Sequence, residues 1–318
     1  MKTKKILITG AAGFIGFHLA SHLVKRGDQV VGVDNFNDYY DPQLKQSRAQ
    51  ELRAVGVEVV EGDVCDSTLL SNLIEKNAIT HFVHLAAQAG VRYSLLNPQA
   101  YITSNLNGFL SVLETCRHYP DIPLIYASSS SVYGTNTKIP FDIKDRTDHQ
   151  ASFYGVTKKT NELMAYTYHH LYQLKVTGLR FFTVYGPWGR PDMAYFSFTK
   201  AILEGRPIDV YAWDKMRRDF TYIDDIVKGT VAAIDLGSHH EIFNLGNNQS
   251  EPLEKLIRLI EKSLGKKAVL RHLPMQAGDV EVTYADIDHS QEKLGFHPKI
   301  ALDVGIPLFI EWYQRYYK

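Results

Sequence analysis

The chain contains little cysteine, since Cys65 and Cys116 are its only two in 318 residues, and their spacing suits neither a metal site nor a redox pair. It also lacks net charge, because Lys plus Arg and Asp plus Glu both number 35. No stretch reaches the ~20 unbroken apolar residues of a membrane span. The start, MKTKK and an apolar run, has no cleavage pattern of a signal peptide. We therefore expect a cytoplasmic protein that binds no metal, nucleic acid or membrane and meets anionic ligands through a local site.

Short apolar and β-branched runs alternate with helical patterns through the first part of the chain. After the first run, KILIT, apolar residues recur at helical spacing until Gly27. Most of the runs are continuously apolar, as in strands covered on both faces. The predicted strands are 5–9, 29–34, 57–63, 80–87, 123–130 and 175–182, and the longest predicted helices are 105–118 and 154–172. This alternation predicts an α/β fold with a doubly wound parallel sheet of the Rossmann type.

The alternation becomes less regular after residue 186. The turn-rich segment PWGRPDM is followed by short strands and by helices such as 253–264. We predict a first domain over residues 1–186, to which later segments can return, and a smaller mixed α/β lobe over residues 187–318. Because ligands bind at the carboxyl ends of the strands in such sheets, we expect the functional residues there.

Three glycines interrupt the turn between the first strand and the first helix, in the sequence TGAAGFIG. Gly10, Gly13 and Gly16 have the spacing GxxGxxG. A glycine-rich turn lets the backbone approach a pyrophosphate, which free N–H groups and the helix dipole then stabilise. A turn that needs positive φ and close helix packing would explain the same glycines, so both interpretations stay open.

Acidic residues end the second and third predicted strands. Asp34 lies 18 residues after Gly16, where an acid binds the adenosine ribose hydroxyls of a dinucleotide and repels the 2′-phosphate of NADP. Asp63 could accept a hydrogen bond from the adenine amino group. Either residue could instead only form a turn or cap. Together with the glycines, they predict NAD as the cofactor.

Tyr154 and Lys158, in YGVTK, share one face of a predicted helix. An ammonium ~4 Å from the phenol would contribute about 4 kcal/mol at an effective dielectric of about 20, enough to bring a phenol pKa of ~10 to about 7. The tyrosine would then act as a base near neutral pH. The upstream serines 128–131 could hold a sugar oxygen or the phenolate. A solvated helix face and serines that bond only to backbone are the alternatives.

Seven motifs, in order along the chain, carry a resemblance to a known family: TGAAGFIG, HLAAQAGVRYS, YASSSSVYG, YGVTK, RFFTVYGPWGRPDM, RDFTYIDDI and PMQAGDVEVTYAD. They resemble the extended short-chain dehydrogenase/reductase family and, within it, the NAD-dependent nucleotide-sugar 4-epimerases, most closely those that act on UDP-glucuronate. The resemblance implies an isomerase that converts UDP-glucuronate to UDP-galacturonate through a transient 4-keto sugar, with NAD bound throughout.

The resemblance also implies roles for individual residues. Tyr154 would be the acid/base, Lys158 its electrostatic partner and ribose ligand, and Ser129 the hydroxyl bonded to the sugar O4. Asn105 would position its helix and the cofactor site. The other implied cofactor ligands are Gly10, Gly13, Phe14, Ile15, Gly16, Asp34, Asn35, Asp63, Val64, Leu85, Ala86 and Ala87.

The implied substrate ligands lie mostly later in the chain. Arg218, with Arg92 or Arg190, would grip the uridine diphosphate, because the guanidinium fork suits phosphate oxygens. Ser130 and Thr183 would hold a uronate carboxylate without supplying a strong acid, and Asp279 would complete the substrate site. Structural salt bridges for Arg92 and Arg190, and mere packing for Thr183, remain alternatives. Residues 1–186 would then bind NAD, and residues 187–318 the nucleotide sugar.

Several rival functions follow from the same motifs. A sugar 4,6-dehydratase or a UDP-xylose synthase would need a carboxylic acid beside the serines, and YASSSSVYG has none. A UDP-glucose 4-epimerase stays open, although such enzymes typically have Asn-Pro where this chain has FFTVYGP. A non-catalytic NAD-binding regulatory protein is the alternative from another class. Helices 105–118 and 154–172 pair with a second copy in this family, which implies a homodimer.

Overall fold

The computed structural model describes residues 3–276 and 278–318. In this part of the chain the strands are β1 (Lys5–Thr9), β2 (Gln29–Asp34), β3 (Glu58–Glu61), β4 (His81–His84), β5 (Leu124–Ser129), β6 (Val176–Phe181), β7 (Thr183–Tyr185), β8 (Ile208–Tyr211), β9 (Arg217–Arg218), β10 (Phe220–Tyr222), β11 (His240–Leu245), β12 (Glu251–Pro252) and β13 (Leu270–Leu273).

The α-helices are α1 (Phe14–Arg26), α2 (Pro42–Ala54), α3 (Ser67–Asn77), α4 (Tyr93–Leu96), α5 (Pro98–Tyr101), α6 (Gly108–Arg117), α7 (Phe153–Tyr172), α8 (Ala194–Leu203), α9 (Ile223–Leu236), α10 (Leu253–Leu264), α11 (Asp288–Leu294) and α12 (Leu302–Tyr316). A π-helical turn, Ile102–Asn107, leads into α6, and a 3-10 turn, Ser130–Tyr133, follows β5. Among the described residues, no helix combines the length and apolar character needed to cross a membrane.

A seven-stranded parallel sheet forms the centre, in the order β11-β6-β5-β4-β1-β2-β3. The prediction of a doubly wound parallel α/β fold is confirmed. The order reverses between β1 and β4, and the crevice outside the carboxyl ends of such a strand pair is where ligands bind.

Successive residues of β1 pack into different hydrophobic layers. Ile6 and Ile8 belong to one buried cluster and Leu7 to the other, and all three are fully buried. The two clusters cover opposite faces of the sheet, because neighbouring side chains of a strand point to opposite sides. This double coverage explains why the strands are continuously apolar.

The structure shortens four of the predicted strands, β3 and β4 by the most, and adds one strand to the sheet. Strands β3 and β4 end at Glu61 and His84, so Asp63 lies in a loop at the carboxyl edge of the sheet. Asn105 lies in the π-helical turn rather than in the helix that follows it. Strand β11 pairs with β6, so the chain returns to the sheet well after residue 186. The remaining strands form two-stranded pieces: β7 with β10, β9 with β12, and β8 with β13.

Candidate active site

A cleft of about 400 Å³ runs along the carboxyl ends of the central strands. The structure brings most of the predicted site residues together in its wall. They are Gly10, Gly13, Phe14, Ile15, Gly16, Asp34, Asn35, Asp63, Val64, Leu85, Ala86, Ala87, Ser129, Ser130, Tyr154, Lys158, Thr183, Arg190, Arg218 and Asp279. Arg92 and Asn105, which lie outside this wall, contact residues next to or within it.

The glycine turn packs so closely that side chains would not fit. A Cβ on Gly16 would lie 2.1 Å from the carbonyl oxygen of Gly10, and one on Gly10, where φ is 73°, would lie 2.7 Å from the nitrogen of Ala86. Helix α1 begins directly after Gly13, and among the described residues no side chain caps its first turn. The N–H groups of that turn suit a phosphate. The packing interpretation is therefore correct, and the same geometry also fits the pyrophosphate of NAD.

Asp34 lies at the end of β2, beside the glycine turn. Its two carboxylate oxygens accept hydrogen bonds from the backbone nitrogens of Ala12 and Phe36, each at 3.0 Å. Burial raises the pKa of Asp34, and the nearby Lys45 ammonium and the two N–H groups oppose that effect. The carboxylate is thus held at the end of β2, where an acid in this type of fold hydrogen-bonds to the adenosine ribose, and this fits NAD.

Asp63 and Asn35 contact one another on the adenine side of the cleft. Asn35 Nδ2 donates to Asp63 Oδ2 at 2.8 Å, and the backbone nitrogen of Cys65 donates to Asp63 Oδ1 at 2.9 Å. Although burial acts to raise the pKa of Asp63, these hydrogen bonds hold it below its usual value. Asp63 therefore forms a turn, as the structural alternative suggested, and also lines the cleft.

Helix α7 carries the predicted acid/base pair. Ser152 caps the helix by accepting from the nitrogen of Gly155 at 3.1 Å, which places Tyr154 in the first turn. One turn later, the buried Lys158 ammonium donates to the carbonyl oxygen of Ala127 at 2.8 Å. Ser129 ends β5, two residues after Ala127. The structure thus brings the three predicted catalytic residues to one end of the cleft.

The electrostatic balance at Tyr154 differs from the sequence-based prediction. Burial raises the pKa of the Tyr154 phenol above its usual value, and the Arg190 guanidinium and Ser129 hydroxyl lower it by less. Burial also lowers the pKa of Lys158 to about 8. In the chain by itself, burial therefore sets the direction of the phenol pKa, and the role of Lys158 in making Tyr154 a base stays a prediction. Desolvation disfavours the charged form of both groups.

Asn105 joins the loop after β4 to α7. Its Nδ2 donates to the carbonyl oxygen of Gln88 and to Thr157 Oγ1, each at 3.0 Å, and its Oδ1 accepts from the nitrogen of Gln88 at 2.8 Å. Thr157 directly precedes Lys158. These contacts support the predicted role of Asn105 in positioning its own helical segment and the cofactor site, and they also connect that segment to α7.

The predicted substrate-binding arginines already hold partners within the chain. Arg190 Nε donates to Asp192 Oδ1 at 3.0 Å, and Arg92 Nη2 lies 3.6 Å from Asp279 Oδ2. Arg218 donates to the carbonyl oxygens of residues 217 and 281, both at 3.0 Å. The salt-bridge alternative is thus present for Arg92 and Arg190, while Arg190 and Arg218 also line the cleft.

Sequence reasoning missed several residues around the cleft. Tyr39 donates to Asp192 Oδ2 at 3.2 Å, and Lys45 donates to the backbone oxygen of Asn37 at 2.8 Å. Arg48 is completely buried beneath the glycine turn. Two signals could have found them: the polar segment DNFNDYYDP follows a strand end, and Arg48 occupies an apolar position in its helical pattern.

Comparisons with known proteins agree with this geometry. The model of the NAD dependent epimerase/dehydratase family matches residues 6–246. The Arabidopsis thaliana protein UDP-glucuronate 4-epimerase 4 is 49% identical over 98% of this chain and 76% of its own length.

Two solved structures have the same fold over nearly the whole chain. The UDP-glucuronic acid 4-epimerase of Bacillus cereus, in complex with UDP-glucuronic acid and NAD, has a TM-score of 0.92 at 35% identity and covers 98% of this chain and 100% of its own. The UDP-glucose 4-epimerase of Thermotoga maritima has a TM-score of 0.89 at 29% identity, with coverages of 99% and 100%. By its family match, its relatives and its NAD-compatible cleft, the chain belongs to the NAD dependent epimerase/dehydratase family.

Proposed function

We propose that this chain is an NAD-dependent 4-epimerase of UDP-hexuronic acids that interconverts UDP-glucuronate and UDP-galacturonate. The observation that carries the proposal is the meeting of Tyr154, Lys158 and Ser129 in the same cleft as the glycine turn. The names of the Arabidopsis thaliana relative and the Bacillus cereus structure, which contains UDP-glucuronic acid and NAD, support the choice of a uronate.

The residues of the chain have distinct tasks in this reaction. When bound, NAD would supply a hydride acceptor that gives the hydride back, and its cationic ring would lower the pKa of the Tyr154 phenol. Tyr154 Oη would take the proton from the C4 hydroxyl and return it to the same oxygen after the sugar has turned. Ser129 would donate a hydrogen bond to O4. Lys158, fixed by the Ala127 carbonyl, would hold the phenol and the ribose in place.

A uronate substrate adds a hazard, because its 4-keto form is a β-keto acid that can lose CO2. We assign the carboxylate to Ser130 and Thr183, whose hydroxyls line the cleft at the end of β5 and the start of β7. Hydroxyl groups donate hydrogen bonds to a carboxylate but are too weakly acidic to protonate a developing enolate. Arg218 and Arg190 would meet the diphosphate, with Arg92 and Asp279 at the edge of that site.

The decisive experiment incubates the purified protein with UDP-glucuronate, without added cofactor, and separates the products by anion-exchange chromatography. We expect UDP-galacturonate, because NAD stays bound through the cycle. A UDP-pentose would indicate decarboxylation instead. Conversion of UDP-glucose to UDP-galactose, with UDP-glucuronate left unchanged, would establish the second candidate, which the similarity to the Thermotoga maritima enzyme favours.

The proposal extends to the division of the chain and its surroundings. Residues 1–186 would bind NAD, and residues 187–318 would supply most contacts to the nucleotide sugar. A cytoplasmic location is supported by the two cysteines, which are free thiols.

A homodimer is supported by the apolar outer surface of α7. Leu163, Tyr166 and Leu171 are 56%, 54% and 60% exposed, and Leu110 on the neighbouring α6 is 43% exposed. A second copy would cover this surface. Light scattering during gel filtration should give about twice 36.1 kDa, and Leu163→Glu should halve that mass. Leu236→Glu, at an exposed leucine of α9, is the control that should leave it unchanged.

A further inference from the structure

Arg48 is a fully buried arginine in the middle of α2. It lies four residues from both Leu44 and Leu52, so it occupies a core position of the helical pattern. An arginine buried in this way carries a large desolvation cost unless hydrogen bonds satisfy its donors. A leucine would fill the same position without that cost. The contacts of the guanidinium therefore need a reason beyond packing.

Besides the hydroxyl of Tyr40, the guanidinium of Arg48 bonds to two segments that lie far apart in the sequence. Its Nη1 donates to the carbonyl oxygen of Ala12 at 3.0 Å, inside the glycine turn. Its Nη2 donates to the carbonyl oxygens of Trp188 at 2.6 Å and Gly189 at 3.0 Å. One planar group thus holds the backbone of the cofactor site and the backbone that leads directly into Arg190.

His18 holds the same second segment from α1. Its Nε2 lies 2.9 Å from the carbonyl oxygen of Pro187. Burial lowers the pKa of His18 to about 4, so the ring is neutral at pH 7, and the carbonyl fixes the proton on Nε2. The carbonyls of residues 187, 188 and 189 therefore all accept from two helices that flank the glycine turn. We call residues 187–189 the strap.

The strap has a backbone that requires such support. Trp188 has a φ of 58°, in the left-handed region that residues other than glycine rarely adopt. Its ring packs against Phe17 of α1 at a centroid distance of 5.2 Å and against Trp312 of α12 at 5.3 Å. The next residue but one, Arg190, lines the cleft and influences the pKa of Tyr154. The conformation of the strap thus decides where the Arg190 guanidinium stands.

We propose that Arg48, assisted by His18, is a positioning residue that couples the NAD site to the sugar site by tying the glycine turn to the strap. The effect on UDP-sugar binding rests on the proposed function, whereas the effect on NAD binding rests only on membership of the family. Coupling of binding sites is reciprocal, so NAD and the UDP-sugar should strengthen each other's binding by the same factor.

Substitution with lysine separates this role from simple charge attraction. Arg48→Lys keeps the positive charge, but one ammonium cannot reach both segments in the geometry of the guanidinium fork. We expect about a tenfold rise in KM for UDP-glucuronate and a similar loss of NAD affinity, with kcat changed by less than about threefold. Arg53→Lys is the matched control: it lies on the same helix, is exposed and donates to Val59, far from the cleft.

A double-substitution cycle tests whether Arg48 acts through Arg190. Arg48→Lys should raise KM in the wild-type background but have little further effect in an Arg190→Met background. Additive effects in this cycle would overturn the inference. A lower melting temperature, with KM and NAD content both unchanged, would also overturn it, because a merely structural arginine behaves in that way.

A second pair of variants keeps the test independent of how Arg48→Lys folds. His18→Gln retains a donor for the Pro187 carbonyl, whereas His18→Leu removes it. KM should rise more for His18→Leu than for His18→Gln, and equal KM values would contradict the role of the strap. If the wild-type protein does not convert UDP-glucuronate, the proposed function fails. The coupling is then measured by calorimetry with UDP, in the presence and absence of NAD.

Discussion

The cofactor side and the sugar side of the cleft differ in what forms them. On the cofactor side, the backbone of the glycine turn packs against the loop after β4, and a Cβ on Gly10 or Gly16 would collide with main-chain atoms. On the sugar side, the candidate ligands are side chains, and two of the cationic ones, Arg190 and Arg92, already face Asp192 and Asp279. The cofactor side therefore has its shape before any ligand binds. On the sugar side, the arginines would have to exchange their aspartate partners for a ligand.

This difference has energetic consequences. A backbone site loses its shape when one atom is added, because the main chain around it has no room to move. In a site formed by side chains, each substitution removes one hydrogen-bonding group, so the affinity for the ligand falls in steps. Substitutions on the two sides should therefore affect different measurements: NAD content on the cofactor side, and KM for the nucleotide sugar on the sugar side.

The largest expected effect belongs to the residue that faces both sides. Tyr154→Phe removes the proton-accepting oxygen but keeps the ring, so kcat should fall by about 10³-fold, within the range for lost acid–base catalysis. NAD content, measured by absorbance after denaturation, should stay at the wild-type value. Undiminished turnover of UDP-glucuronate would refute the assigned role of Tyr154 and the mechanism with it.

The next effect tests the cofactor side. Gly16→Ala places a Cβ 2.1 Å from the carbonyl oxygen of Gly10, which forces the glycine turn to move. We expect the affinity for NAD to fall by about 100-fold, since the N–H groups no longer converge. Isothermal titration calorimetry of the cofactor-free protein with NAD measures this loss of affinity.

Gly205→Ala is the control for that experiment. Gly205 has a φ of 68°, but among the described residues a Cβ there would face open space. The strain should lower the melting temperature without changing NAD affinity. An equal loss of NAD affinity in both variants would mean that general destabilisation, and not the shape of the glycine turn, governs cofactor binding.

The two sides also differ in how far the sequence predicts them. The glycine turn, Asp34 and the six predicted strands follow from local patterns, because strand, turn and helix succeed one another within about 30 residues. The sequence analysis allowed later segments to return to the first domain, but the pairing of β11 with β6 depends on contacts between distant segments, and the sequence pattern did not identify which segment returns. The pKa of Tyr154 depends on burial and on Arg190, 36 positions later, and helix spacing alone does not reveal either of these influences.

A graded effect is expected on the sugar side. Arg218→Met removes a cation that lines the cleft, so KM for UDP-glucuronate should rise by about 10- to 100-fold while NAD content stays constant. Arg217→Met is the matched control, because the guanidinium of Arg217, although adjacent in the chain, donates to Ser250. If both variants raise KM equally, the effect reflects general positive charge, and Arg218 is not a specific phosphate ligand.

The smallest effect concerns proton binding beneath the cofactor side. His84, at the end of β4, is fully buried, with its Nδ1 2.8 Å from Thr9 Oγ1, and burial, aided slightly by Lys158, lowers its pKa to about 3. The folded protein therefore keeps this ring neutral, while the unfolded chain binds a proton below pH 6.5. The free energy of unfolding therefore decreases progressively as the pH falls from 6.5 toward 3, because only the unfolded chain gains a proton in this range.

At pH 5 this single group should remove about 2 kcal/mol of unfolding free energy, a contribution that His84→Asn should abolish. The buried Asp219 behaves in the opposite sense, because burial raises its pKa to about 6, and its protonation below that value favours the folded state. Urea denaturation between pH 7 and pH 5 gives the slope of the unfolding free energy against pH. This slope should be smaller for His84→Asn than for the wild type, and the exposed His118→Asn is the control. If the unfolding free energies of the wild type and His84→Asn change equally with pH, His84 is not the group that destabilises the protein in acid.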